Sequence, residues 1–279
     1  MAKFGLIGNP ISHSKSPLLF RAAYGECGDV YDLIEADTLE ESLSLFLNGS
    51  YRGINVTSPY KDKVFQYISR PSRISAILGS ANLMLKDRNF ESNGIIHSYN
   101  TDYYGVKNTV SGFCNIADRV KNVAVIGAGG AGKAAALAMK ESGYDVILVN
   151  RSREKAAKYA DSIGAVYCPL DCVRDALESS QLIIYSLSFL LEQLDGYDFS
   201  EKVIFEANYA DAQLSPAKGV SSKEYIDGRY WLYNQAIPAF EIFTCRTPDR
   251  DSMRRVIGIE KKYSDNIGQK SEESCNFSR

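Results

Sequence analysis

Histidine and tryptophan are nearly missing from this chain, which has two His and one Trp in 279 residues. His13 and His97 stand far apart with no companion ligands at metal-site spacing, so no metal centre is expected. Cysteine is sparse as well: six residues, scattered at 27, 114, 168, 172, 245 and 275, far below the density of a disulfide scaffold. The close pair Cys168 and Cys172 has no matching Cys/His pair downstream, and the pattern predicts reduced thiols in a cytoplasmic protein. Neither sign of charge dominates. Lys and Arg total 32 against 34 Asp and Glu, for a net charge of -2, which argues against a dedicated nucleic-acid or anionic-membrane binder. Long hydrophobic runs are absent too: the apolar window 182–191 carries Ser186 and Ser188 and is too short to cross a bilayer. Lys3 is followed by only a short apolar stretch before Asn9-Pro10, so no secretory signal is expected.

What is present is an ordinary globular balance, 45% hydrophobic and 24% charged. The length suits one large domain or two ordinary ones. Strand-like segments at 3–8, 31–35 and 52–57 alternate with helical ones. Ser16-Pro17 reads as an N-cap and first helical proline of a helix running to about Cys27-Gly28. Thr38 and Glu41 form a capping-box pattern, Gly49 closes that helix, and Pro59 is placed to start another. Segments 81–86 and 95–100 read as strands joined through a polar stretch. From about residue 102 a helix leads into a second series. Its strands are expected at 120–126, 145–149, 165–168, 182–187 and 203–207, with helices between them. This alternation predicts an α/β protein with mixed or parallel sheets covered by helices. The polar stretch from Glu260 reads as a frayed tail.

The sharpest motif is Gly127-Ala128-Gly129-Gly130-Ala131-Gly132, a GxGxxG that leaves a predicted strand and opens a helix. Glycines there permit the tight turn and let backbone approach a pyrophosphate, and the helix N-terminus favours its anionic oxygens. An NAD-selective site carries Asp or Glu at the tip of the next strand. Here the tip reads Asn150-Arg151-Ser152, followed by Arg153 and Lys155. Arg151, with Lys155 and Arg153, can pair with a 2′-phosphate, so NADP(H) is the expected cofactor.

The first half holds a different set at its strand ends: Ser14, Ser16, Asn55, Thr57, Lys61, Asn82, Asn100, Thr101 and Asp102. Hydroxyls, amides, one ammonium and one carboxylate suit a small polyhydroxylated ligand gathered beyond the carboxyl ends of strands. Lys61 and Asp102 can act as an acid–base pair, the ammonium donating to a developing alkoxide while the carboxylate holds it. By residue type alone, Lys61 also reads as a solvated helix face and Asp102 as an N-cap.

Taken in order, these motifs resemble those of the shikimate dehydrogenase family, over nearly the whole length to about residue 258. Ser12 to Pro17 is similar to the family's amino-terminal substrate loop, which implies that Ser14 and Ser16 bind a substrate carboxylate. Asn55-Val56-Thr57-Ser58-Pro59-Tyr60-Lys61 is similar to its NVTxPxK segment, implying substrate binding by Thr57 and catalysis by Lys61. Gly79-Ser80-Ala81-Asn82 resembles its GAxN segment, with Asn82 on substrate hydroxyls. Tyr99-Asn100-Thr101-Asp102 resembles its YNTD motif, with Asn100 on substrate and Asp102 as catalytic partner. Gly127 to Gly132 and Asn150-Arg151-Ser152 resemble its NADP loop, while Tyr209 and Gln235 sit where it binds substrate. Four departures stand out. Leu83 replaces a Thr, and Glu206 to Asp211 keeps Tyr209 of the DxxYxP segment with a longer acid and no Pro. Trp231-Leu232 replaces Met-Leu, and a Ser/Thr–Gly–Met loop is not evident at Ser186 to Leu191.

The resemblance implies a reversible NADPH-dependent reduction of 3-dehydroshikimate to shikimate, on the route to chorismate and aromatic amino acids. It implies a substrate-binding and catalytic domain at 1–101 plus 239–262, a Rossmann-type NADP domain at 102–238, a tail at 263–279, and an active site in the cleft between the domains. The expected partner is a small-molecule substrate, with no nucleic acid and no membrane, and the protein is expected to be a monomer or homodimer. Two alternatives remain open at this point: a quinate or quinate/shikimate dehydrogenase using NAD, and a non-catalytic NADP- or metabolite-binding protein on the same fold.

Overall fold

The computed structural model describes residues 1–25, 28–113 and 119–260. The expected tail at 263–279, Cys27, Cys114 and Cys275 lie outside the described residues. The chain divides into two units. One contains Met1–Thr101 and Gln235–Lys261, the other Asp102–Asn234. The second crossing falls inside helix Gly228–Thr244, four residues before Pro238, the position suggested by sequence. The reason lies in the side chains beyond it: Gln235 accepts a hydrogen bond from Asn82, and Phe240 packs edge-on against Phe20 at 5.1 Å.

The first unit carries a six-stranded sheet. Its strands are β1 (Lys3–Ile7), β2 (Val30–Ile34), β3 (Tyr51–Val56), β4 (Arg70–Pro71), β5 (Leu83–Lys86) and β6 (Ile96–Tyr99), in the order β2-β1-β3-β5-β6-β4. Pairings β1–β2, β1–β3 and β4–β6 are parallel; β3–β5 and β5–β6 are antiparallel, so the sheet is mixed. β5 and β6 run antiparallel because a short connection joins them. The parallel neighbours β1, β2 and β3 need helical crossovers, and helices Ser16–Tyr24 and Leu39–Asn48 supply them. Thr38 caps the second of these, accepting from Glu41 N–H at 3.2 Å, while the Glu41 carboxylate reaches back to Asp37 N–H. Ile7, Ile54, Val56 and Met84 from the sheet meet Leu43 and Phe46 in its core.

Two local expectations are corrected. Ser16 is the first residue of its helix rather than the cap, and the Ser14 hydroxyl accepts its N–H at 3.3 Å. Pro59 does not start a helix. Thr57 O accepts Tyr60 N–H at 3.0 Å in a turn, and a short 3₁₀ helix follows only at Lys63–Tyr67. Lys61 therefore sits in a turn, whose main chain is tied down where Lys61 O accepts Ala81 N–H at 3.0 Å.

The second unit holds β7 (Asn122–Ile126), β8 (Asp145–Asn150), β9 (Val166–Pro169), β10 (Leu182–Tyr185), β11 (Val203–Glu206) and β12 (Glu224–Ile226). Their order is β12-β11-β10-β7-β8-β9, and every pairing is parallel. The near-continuous apolar runs of β7 and β10 follow from burial on both faces, as a helix-covered parallel sheet requires. The strand order reverses between β7 and β10, which places the topological switch point at the carboxyl end of β7.

Candidate active and cofactor sites

Register decides what the first unit gathers. Ile7 pairs with Val56, Asn55 with Leu83, and Leu83 with Tyr99. The carboxyl ends of β1, β3 and β6 and the amino end of β5 thus share one edge of the sheet. From that edge emerge the loop bearing Ser14 and Ser16, the turn bearing Thr57 and Lys61, Asn82 immediately before β5, and Asn100 with Thr101 after β6.

Asn82 is the hub. Its Oδ1 accepts Thr101 N–H at 2.7 Å, and its Nδ2 donates to Thr101 Oγ1 at 3.0 Å and to Gln235 Oε1 at 3.3 Å. Its carbonyl accepts from Val56 N–H at 2.9 Å and from Asn55 Nδ2 at 3.0 Å. Asn55 Oδ1 in turn accepts the Tyr31 hydroxyl at 2.7 Å. Burial drives the Tyr31 phenol well above its ordinary value, although a hydrogen bond with Ser16 pulls the other way. Neutral Tyr31 therefore links Ser16 and Asn55, and Ser14 Oγ donates to Ser16 Oγ at 3.2 Å. Asn100 is fully buried. Its Nδ2 donates to Ser80 Oγ at 3.2 Å, while its Oδ1 has no hydrogen-bond partner. An orphaned acceptor of this kind calls for a donor, because leaving it unmet costs about 1–3 kcal/mol.

Asp102 belongs to the second unit, where it is the first residue of helix Asp102–Gly112 rather than a cap ahead of it. The residue is 2% exposed, and its Oδ1 accepts the indole N–H of Trp231 at 3.3 Å.

At the switch point, Gly127 has φ +101, a left-handed conformation that favours glycine. A Cβ on Gly132 would lie 2.0 Å from Gly127 O, so the helix packs onto the turn only without a side chain there. Gly129 caps helix Gly130–Glu141, and a Cβ on it would meet nothing within 4 Å. That is the open approach that a pyrophosphate on this helix N-terminus needs. Asn150 at the tip of β8 holds the loop: its Oδ1 accepts Ala128 N–H at 3.2 Å and its Nδ2 donates to Ser152 O at 3.1 Å. Arg151, Arg153 and Lys155 are exposed and have no ion-pair partner among the described residues. The donor set fits an NADP cofactor: free N–H groups for the pyrophosphate and unpaired cations where a 2′-phosphate would sit.

Tyr209 follows β11 on this same unit, half-buried in a turn organised by Asn208 Oδ1, which accepts from Ala210 and Asp211 N–H. The longer acid at 206 has a structural use. The Glu206 carboxylate, fully buried, accepts Gln213 N–H, Leu214 N–H at 3.0 Å and the Tyr225 hydroxyl at 3.1 Å. Desolvation pushes its carboxyl above the usual range against those hydrogen bonds. Tyr31 and Ser80 were assigned no role by motif, and Asn55 and Thr101 only a general one as ligand-facing polar groups, since nothing in spacing marks a residue that supports a neighbour. Trp231 was visible only as a departure from a pattern. Among the described residues no group of three His, Cys, Asp or Glu side chains could hold a metal ion, and no helix is long and apolar enough to cross a membrane.

A mixed-sheet unit with hydroxyls and amides gathered at one edge, and a parallel-sheet unit with a glycine loop at its switch point, define the class as a two-unit α/β oxidoreductase whose residues fit an NADP cofactor. Residues 6–84 match the model of the shikimate dehydrogenase substrate-binding domain, and residues 114–193 match that of shikimate / quinate 5-dehydrogenase. The NADP(+) shikimate dehydrogenase of Halobacterium salinarum is 29% identical over 256 residues, covering 88% of this chain and 94% of that one. Among solved structures, shikimate dehydrogenase from Aquifex aeolicus superposes with a TM-score of 0.77 at 26% identity, over 92% of this chain and 97% of that one. The Mycobacterium tuberculosis enzyme gives 0.76 at 26% identity, over 92% and 99%. The chain belongs to the shikimate dehydrogenase family.

Proposed function

We propose that this protein catalyses the reversible NADPH-dependent reduction of 3-dehydroshikimate to shikimate. The observation that carries the reading is the convergence of Thr101 and Gln235 on Asn82, which brings motif segments up to 153 positions apart onto one sheet edge. The unmet Asn100 Oδ1 at the same edge supports it, as an acceptor suited to a substrate hydroxyl. Bound NADPH supplies the hydride that reduces the ketone carbon. Lys61 is assigned the proton that goes to the carbonyl oxygen as it becomes an alkoxide, with Asp102 as its acid–base partner. Ser14 and Ser16 bind the substrate carboxylate. Thr57, Asn82, Asn100, Tyr209 and Gln235 orient the ring, and such positioning contributes several kcal/mol to lowering a barrier. Gly127 to Gly132 hold the pyrophosphate, and Asn150, Arg151, Ser152 and Lys155 the adenosine 2′-phosphate. The absence of a carboxylate at the tip of β8 supports NADP over NAD. The same reading puts the enzyme in the cytoplasm, as a monomer or homodimer.

The test is turnover by the purified protein with shikimate and quinate, each with NADP and NAD, and with 3-dehydroshikimate plus NADPH, followed by NADPH absorbance. Shikimate with NADP is expected to give the highest kcat/KM. Preference for quinate with NAD would replace this reading with the alternative substrate. Tight binding without turnover at any pH from mildly acid to alkaline would make the protein a non-catalytic binder.

A further inference from the structure

We propose that Trp231 is a positioning residue for Asp102, an inference that rests on the catalytic role just given to that carboxylate. Trp231 is the only tryptophan in the chain. Its Nε1–H points at Asp102 Oδ1, 3.3 Å away and 129 positions distant in sequence, and both side chains are nearly fully buried. An indole N–H is a donor only, so it commits one carboxylate oxygen as acceptor and cannot exchange roles as water or a hydroxyl would. The ring itself is buried. It packs against Phe205 of β11 with centroids 5.4 Å apart, and it sits on helix Gly228–Thr244 in the stretch that belongs to the second unit.

Asp102 opens helix Asp102–Gly112. The indole commits Oδ1, one of the two carboxylate oxygens, as an acceptor, and so restrains how the side chain can turn. A thioether or an aliphatic side chain at 231 would fill the space against Phe205 without supplying this donor. Tryptophan at this position therefore brings the carboxylate a hydrogen bond that those side chains would lack. The role is to orient: Trp231 need not touch substrate, and its removal acts on turnover through Asp102.

Because the chain has a single tryptophan, global replacement by 3-benzothienylalanine exchanges the N–H of this one residue for sulfur and keeps its shape. In that protein, and in Trp231→Phe, kcat is expected to fall about tenfold, the loss of one hydrogen bond of about 1.4 kcal/mol to a charged group, with KM for shikimate within about twofold. In the unsubstituted protein the lone indole ¹H–¹⁵N cross-peak is expected to move on Asp102→Asn. A kcat within about twofold of the parent in the folded benzothienylalanine protein overturns the proposal, as does a loss carried by KM, or an indole cross-peak indifferent to Asp102→Asn. Inactivity of the unsubstituted protein with every substrate instead overturns the functional reading on which the proposal rests.

Discussion

Asn82 Nδ2 donates to Gln235 Oε1 across 3.3 Å while Asn82 Oδ1 accepts Thr101 N–H at 2.7 Å, so one amide joins three segments of the first unit. Asn82→Ala strands a buried N–H and is expected to destabilise the protein by about 1–3 kcal/mol in urea unfolding. Gln235→Ala removes only one longer hydrogen bond and leaves Thr101 satisfied. It is expected to unfold within about 0.5 kcal/mol of the parent and to raise KM for shikimate. Equal destabilisation by both changes would show that the amide is not the hub.

Lys61→Ala is expected to lower kcat by about 10²–10⁴-fold with little change in KM, as for a proton donor acting in the transition state. Steady-state kinetics with shikimate and NADP measure it. Full activity removes Lys61 from the mechanism.

On the proposed reading, Arg151→Ala deletes a charge-assisted partner of the 2′-phosphate, worth about 1.5–3 kcal/mol. KM for NADPH should rise roughly ten- to hundredfold and KM for NADH should stay the same. A parallel rise for both cofactors would mean that Arg151 recognises something they share.

Gly132→Ala places a methyl 2.0 Å from Gly127 O, a main-chain atom, so backbone must shift to admit it. Overpacking of this kind costs about 1–3 kcal/mol or more. Thermal unfolding should show the loss, and calorimetry should show weaker NADPH binding.

Acid stability should depend on Asp87. The His97 hydrogen bond first, then Asn89 N–H and Asn93 Nδ2, hold its carboxyl well below its ordinary 3.8. The unfolded chain binds that proton at a higher pH than the folded one, so this contribution is complete above about pH 4 and shrinks as pH falls further. Asp87→Asn should flatten the decline in melting temperature on the acid side of pH 4. An unchanged slope would assign the acid sensitivity elsewhere.

Much of this was legible along the chain. The glycine loop, the cationic tip at Asn150-Arg151 and the strand-ending motifs are local patterns, because turns, caps and helix N-termini are built from residues adjacent in sequence. Even so, Pro59 misled: a proline suits a first helical position, yet Thr57 O captured Tyr60 N–H and made a turn that carries Lys61. The strand β12 and the 3₁₀ helix Lys63–Tyr67 were likewise silent, being short elements set by their neighbours rather than by their own periodicity.

The sparse histidine and tryptophan mark the division. By itself the sequence determined the α/β class, the glycine loop and the absence of a carboxylate at the tip of β8, since these depend on residue type and short-range spacing. Only the tertiary structure decided that Asn82 is a hub, that Asn100 keeps an unmet acceptor, that Glu206 anchors the segment after β11, and that the lone tryptophan meets Asp102. Those relations depend on strand register and helix packing; the Asn82–Gln235 and Asp102–Trp231 meetings join groups more than a hundred positions apart, and no local pattern encodes them.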